Sequence, residues 1–133
     1  MNAEEYLERI EKIDKLLKNK RRERQRWVDT ANSTGGFSTA EKVKSSHDPQ
    51  KNSNAIINYC YIDKEIAELE NEREAIIKTI ERLPSDEYDV IYAVYVDLKP
   101  LKVVPSICHM SYSWVKQKKK TALSHIQEFL DAE

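Results

Sequence analysis

Lysine carries the chemistry in the last third of this chain. Lys99, Lys102, Lys116, Lys118, Lys119 and Lys120 stand in a stretch, 98–127, that holds no aspartate or glutamate. In a protein with 34% charged residues, such a gap needs a cause. A polyanion supplies one, because each lysine that meets a phosphate releases a counterion while a carboxylate there is repelled. Among the lysines lie Ser113, Trp114, Gln117 and Thr121, side chains that can reach base edges or phosphates in a major groove. The Gln117 amide suits adenine, and the Trp114 ring suits either the edge of a core or a thymine methyl. A second basic run, Lys18, Lys20, Arg21, Arg22, Arg24 and Arg26, stands against the single acid Glu23. Two readings fit it. One is a solvated face whose charge suits the C-terminal half of a helix. The other is an auxiliary contact to nucleic acid or protein.

Most other chemistry lacks its residues. There is no HExxH, CxxC, GxSxG or glycine-rich phosphate loop. The two glycines, Gly35 and Gly36, are adjacent, so neither a P-loop nor a dinucleotide-binding turn can be built. His109 and His125 have no carboxylate or cysteine at ligand spacing, and His47 sits in polar sequence as a solvated side chain. Cys60 and Cys108 lie in no metal or redox spacing and read as small core residues in a reducing compartment. The expectation is a protein that is not an enzyme, with no catalytic residue, no cofactor and no metal. No apolar run approaches about 18 residues, and the N-terminal "MNAEEYLERIEK" lacks a signal-peptide core. A soluble, intracellular protein without a membrane partner is expected.

The elements that must position these residues are helices. A chain of 133 residues with 2 glycines and 4 prolines has too few turn formers for a many-stranded fold. Residues 3–31 predict one long helix whose seam runs through Tyr6, Ile10, Ile13, Leu17, Lys20, Arg24, Trp27 and Ala31. A polar loop follows at 32–52. Inside it, "STAEKVKSS" predicts a short helix capped by Ser38 with Glu41 three residues later. Residues 53–83 predict a second long helix with the seam Tyr59, Ile62, Ile66, Leu69, Arg73, Ile76, Ile80 and Leu83, ended by Pro84. Matching seams imply an antiparallel hairpin with Ile10, Ile13, Leu17, Ile66, Leu69 and Ile76 buried. The acids of "DEYDVIYAVYVD" and Ser85 before it predict a helix over 86–97, with Tyr88, Ile91, Tyr92 and Tyr95 on one face. The fold class is therefore all-α: a hairpin domain at 1–84, then a second domain at 85–133.

In that second domain a short apolar segment at 101–108 is followed by a tight turn at "CHMS" and a helix over 111–130 capped by Ser111. This is the plan of a helix-turn-helix. At about 100° per residue, Ala122, Ile126 and Phe129 share the face of Val115, with Leu123 and Leu130 also turned inward. Ser113, Gln117, Lys120 and Ser124 fall opposite, flanked by Lys116 and Thr121. Lys119 projects near the buried side and must snorkel. The expected DNA-binding residues are Lys99, Lys102, Ser113, Trp114, Lys116, Gln117, Lys118, Lys120 and Thr121.

The segment "DEYDVIYAVYV…LKVVPSICHMSYSWVKQKKKTALSHI" resembles the helix-turn-helix of sigma-factor region 4. Ser111, Val115, Ala122, Leu123 and Ile126 match its last helix. With the long helical first half and the stretch Ser45, Ser46, His47, Asp48, Pro49 and Lys51, the chain is similar to phage-encoded late-gene transcription regulators of the ArpU/RinA kind. The chain departs from that pattern at Val104-Pro105, where the family carries an "I-A" pair. Proline is tolerated only in the first turn of a helix, so the short helix should either begin late, near Val103, or be distorted. The resemblance implies a late-gene activator that binds promoter double-stranded DNA in the cytoplasm of a bacterial host. It also implies bacterial RNA polymerase as a further partner, and the hairpin offers a route to a homo-oligomer. The residues leave two other readings open. One is a helical structural or interaction protein, such as a small DNA-packaging subunit. The other is a host-directed inhibitor of transcription.

Overall fold

The computed structural model describes residues 2–34 and 49–133. Every element among them is helical, as expected of an all-α chain. Helix α1 spans Ala3–Thr34 and α2 spans Pro49–Glu81. Helix α3, Ser85–Ile91, continues as a π-turn over Tyr92–Val96. Helix α4 is Val104–Cys108 and α5 is Tyr112–Ala132. Both long helices overrun the expected loop. Pro49 opens α2 rather than preceding it, since the first helical N–H groups have no intrahelical partner and proline loses nothing there. The short helix expected at 38–46, its Ser38 cap and His47 lie outside the described residues.

The chain forms two compact units, Met1–Asp14 with Asn71–Glu133, and Lys15–Glu70. The boundary expected at residue 84 lies inside the first unit. The divisions fall within α1 and α2 instead.

In the first unit, Asn2 caps α1 by accepting from the Glu5 N–H at 2.8 Å. Leu7, Ile10 and Ile13 are buried at helical spacing, as are Ile76, Ile80 and Leu83 near the end of α2. Tyr6 and Thr79 share a hydroxyl hydrogen bond at 3.1 Å, and Arg73 donates to Asp14 at 2.8 Å, the order of an antiparallel pair. Arg9 grips Glu72 with two bonds at 2.7 and 3.2 Å. Pro84, not Ser85, occupies the N-cap of α3.

The helix expected over 86–97 is regular only to Ile91. Beyond it the Asp97 N–H returns to the Tyr92 carbonyl at 2.9 Å, and Leu98 closes the turn at φ 54°. Branched and aromatic side chains crowd "VIYAVYV", and such residues lose rotamer freedom in a regular helix. The wider turn lets Val90 and Ala93 pack with Val104 and Val115 while Ile91 and Tyr95 are also buried. Tyr88 and Tyr92 stay half-buried with ring centroids 5.6 Å apart.

The second unit is built differently. Among its described residues only Leu17, Ala55 and Ile62 are buried. Ile66 and Leu69, expected in the core, are half-buried, because a helix with a single helical neighbour covers only part of its seam. Ion pairs line that seam: Lys20 to Glu65 at 3.1 Å, Arg21 to Glu70 at 2.9 Å, and Arg24 to Asp63. Arg24 also lies 5.5 Å over the Tyr59 ring. Cys60 is exposed here and is no core residue. Cys108, in the first unit, is half-buried, and burial pushes its thiol pKa up.

Candidate nucleic-acid interface

The expected site residues ride on α5 and on the link before α4, and α4 with its turn sets where α5 begins. Helix α4 starts after Val103 with Pro105 in its first turn, where proline is tolerated. Its C-terminal residue His109 is left-handed, at φ 56° and ψ 46°. Glycine usually fills that position, but both glycines of this chain lie elsewhere. The Met110 N–H returns to the Pro105 carbonyl at 3.0 Å and completes the turn. Ser111 then caps α5, its Oγ accepting from the Trp114 N–H at 3.2 Å.

Helix α5 is clamped along its inner face. Near its start, Val115 packs with Val90, Ala93 and Val104, and Met110 and Cys108 seal the edge. Farther along, Ala122 and Ile126 are buried, while Leu123, Phe129 and Leu130 are half-buried. Gln127 accepts from the Ala3 N–H at 2.8 Å, and the Arg82 guanidinium lies 4.0 Å from the Phe129 ring centroid. His125 Nδ1 sits 2.8 Å from Glu87 Oε2, a carboxylate only 3% exposed. His125 therefore does have a carboxylate partner. The two residues are too far apart in the chain for spacing to reveal the contact.

The outward face carries Ser113, Lys116, Gln117, Lys120 and Ser124, all exposed. Lys116 holds its ammonium 5.5 Å from the Tyr112 ring centroid. Lys99 and Lys102 are exposed on the link that precedes α4. Lys99, Lys102 and Lys120 make no ion pair among the described residues.

Two expected site residues are placed otherwise. Lys118 is half-buried and pairs with Asp86 at 2.8 Å, its ammonium 4.6 Å from the Trp114 ring centroid. The hydrogen bond from Lys118 holds the Asp86 carboxyl below the usual carboxylate range. Thr121, also half-buried, donates to the Lys118 carbonyl at 3.1 Å. Both lie on the flank of α5 toward α3. Trp114 shares that flank but stays 43% exposed. Lys119 snorkels toward the Tyr95 ring, 5.8 Å from its centroid.

Asp86 and Glu87 are the residues that sequence reasoning missed. At the start of α3 they read as acids that suit a helix N-terminus. In the fold they hold two side chains of α5. Tyr95 is a further surprise, since its hydroxyl is buried without a hydrogen-bond partner among the described residues. Burial, with Glu4 and Glu8 nearby, pushes its pKa up to about 12.

Among the described residues, no group of three histidine, cysteine, aspartate or glutamate side chains could hold a metal ion. No described helix is long and apolar enough to cross a membrane. No protein-family model, curated protein or solved structure matches this chain.

Proposed function

We propose that this chain is a DNA-binding transcription regulator in which α4, the turn and α5 act as a helix-turn-helix. In this reading the paired long helices form a hairpin platform, and α5 enters the major groove of promoter DNA. One observation carries it. From Ser113 to Ser124 the outward face of α5 is exposed and free of acids, while the helix is pinned by Val115 on its inward face and by His125 and Gln127 on its flanks. A helix held that firmly can present Ser113, Lys116 and Gln117 to base edges, with Lys99, Lys102 and Lys120 against phosphates. Lys118 and Thr121 take a supporting place, since Lys118 already has its counter-charge in Asp86. The resemblance to phage late-gene regulators of the ArpU/RinA kind names the setting: activation of late genes inside a bacterial cell, with RNA polymerase as a further partner.

Footprinting on promoter DNA, followed by affinity across a salt series, tests this reading. Gln117→Ala should relax preference at one base pair by about 1–3 kcal/mol and leave non-specific binding intact. Lys120→Ala should weaken all sequences alike and flatten the salt slope by about 1. Affinity that ignores salt would remove DNA as the partner.

A second reading, a self-assembling packaging subunit, is favoured by one feature. Ile57 and Tyr61, one helical turn apart on α2, are each 65% exposed. Sedimentation separates the two, because a ring of many copies speaks for packaging and a monomer or dimer for transcription.

A further inference from the structure

The basic run of α1 contains two kinds of cation, and the fold sorts them. Lys20, Arg21 and Arg24 each pair with a carboxylate of α2: Glu65, Glu70 and Asp63. Their charge is matched inside the molecule. Lys18, Arg22 and Arg26 are exposed and meet no carboxylate among the described residues. Arg22 donates to Asn19, a neutral partner that leaves its charge uncompensated. Lys18, Arg22 and Arg26 follow one another at intervals of four, so each is about 6 Å farther along the helix axis and about 40° farther around it. They centre on the face opposite Leu17 and Ile13, which are buried. Arg22 and Arg26 also line an open groove of about 470 Å³ together with Trp27.

We infer that Lys18, Arg22 and Arg26 form a second phosphate-contacting stripe, on α1, that tracks the backbone of double-stranded DNA. The inference rests on the reading of this chain as a DNA-binding protein. Three cations in a row without a carboxylate among the described residues repel one another, and that repulsion costs stability unless a polyanion relieves it. The spacing suits a phosphate strand, whose charges recur about every 3.4 Å of duplex axis, so neighbouring cations can meet separate phosphates. Arginine is also the side chain that binds phosphate through two parallel hydrogen bonds. Two acids lie within four residues of Arg22 or Arg26. Asp29 is engaged by the Gln25 amide at 2.8 Å. Glu23, in the same groove as Arg22 and Arg26, opposes an anion and gives the test a variant of opposite sign.

The test uses the full chain and a duplex, with affinity read by fluorescence anisotropy from low to high salt and folding checked by circular dichroism. The double variant Arg22→Ala, Arg26→Ala should flatten the slope of log K against log salt by about 2, at −0.9 per contact. Arg21→Ala, which removes a cation already paired, should leave the slope unchanged. Glu23→Gln should tighten binding to every sequence. An unchanged slope in the double variant, with Lys120→Ala still lowering it, overturns the stripe and leaves α5 as the contact. The reverse pattern removes α5 and keeps the stripe. No salt-dependent duplex binding by the wild-type chain overturns both. If Arg22 and Arg26 matter for binding poly-L-glutamate but not for duplex, the stripe belongs to an acidic protein partner and the inference fails.

Discussion

The two compact units hold themselves together by different means. The unit of Met1–Asp14 and Asn71–Glu133 buries Leu7, Ile10, Ile13, Ile80, Ile91, Val90, Val104, Val115 and Ile126 almost completely. The unit of Lys15–Glu70 buries Leu17, Ala55 and Ile62 among its described residues and lines its seam with exposed or half-exposed ion pairs. Burying a large apolar side chain contributes roughly 1.5–3 kcal/mol, while an exposed ion pair contributes about 0–1. Stability is therefore concentrated in the unit that carries α5. The ion-paired unit trades stability for charge order: its pairs fix which cations face inward and which remain outward.

The largest expected effect tests that contrast directly. Ile80 is fully buried in the first unit, whereas Leu69 is half-buried in the second. Ile80→Ala should cost about 2–5 kcal/mol by chemical denaturation. Leu69→Ala should cost less than half as much, because much of its side chain already meets water. Equal costs would show that the second unit hides an apolar contact comparable to the first.

A smaller effect of opposite sign comes from Tyr95. Its ring fills the core, but its hydroxyl is desolvated without a partner among the described residues. Tyr95→Phe keeps the ring and removes that group, so it should stabilise the protein by up to about 1 kcal/mol at neutral pH. The same tyrosine gives an alkaline signature. Its folded pKa of about 12 lies above the ordinary value. Its contribution is therefore whole below about pH 10 and is lost as the pH climbs from there through about 12. The phenylalanine variant should lose less stability across that window. A destabilised variant would mean that the hydroxyl finds a partner in solution, such as a bound water.

The helices, the Ser111 cap, the late start of α4 at its proline and the inward face of α5 were legible because each depends on residues close in sequence. Periodicity places Val115, Ala122 and Ile126 on one side, and that side is buried. What escaped depends on partners far along the chain. Lys118 belongs by its type to a basic patch, yet Asp86 claims it across the fold. Glu87 reads as a helix-start acid, yet it is buried against His125. The π-turn escaped because its cause is the packing of Val90 and Ala93 on α4 and α5, which the pattern of residues 86–97 cannot show alone. The sorting of the α1 cations escaped for the same reason: only the acids of α2 distinguish Arg21 from Arg22.

The smallest expected effect sharpens the comparison from the side of the ion pairs. Arg21 and Glu70 hold a 2.9 Å contact with side chains 58% and 52% exposed. In water such a pair gains little Coulomb energy and loses side-chain freedom, so Arg21→Ala should change stability by less than about 0.5 kcal/mol. Screening should shrink even that, since the Debye length falls from about 10 Å at 0.1 M salt to about 3 Å at 1 M. Denaturation at both ionic strengths separates two cases. A small cost that vanishes in high salt means that the pair orders charge without holding the helices together. A cost above about 1 kcal/mol that survives high salt would come from the arginine's hydrocarbon stem packing on α2. The second unit would then be held by covered apolar surface like the first, and the contrast between the two would collapse.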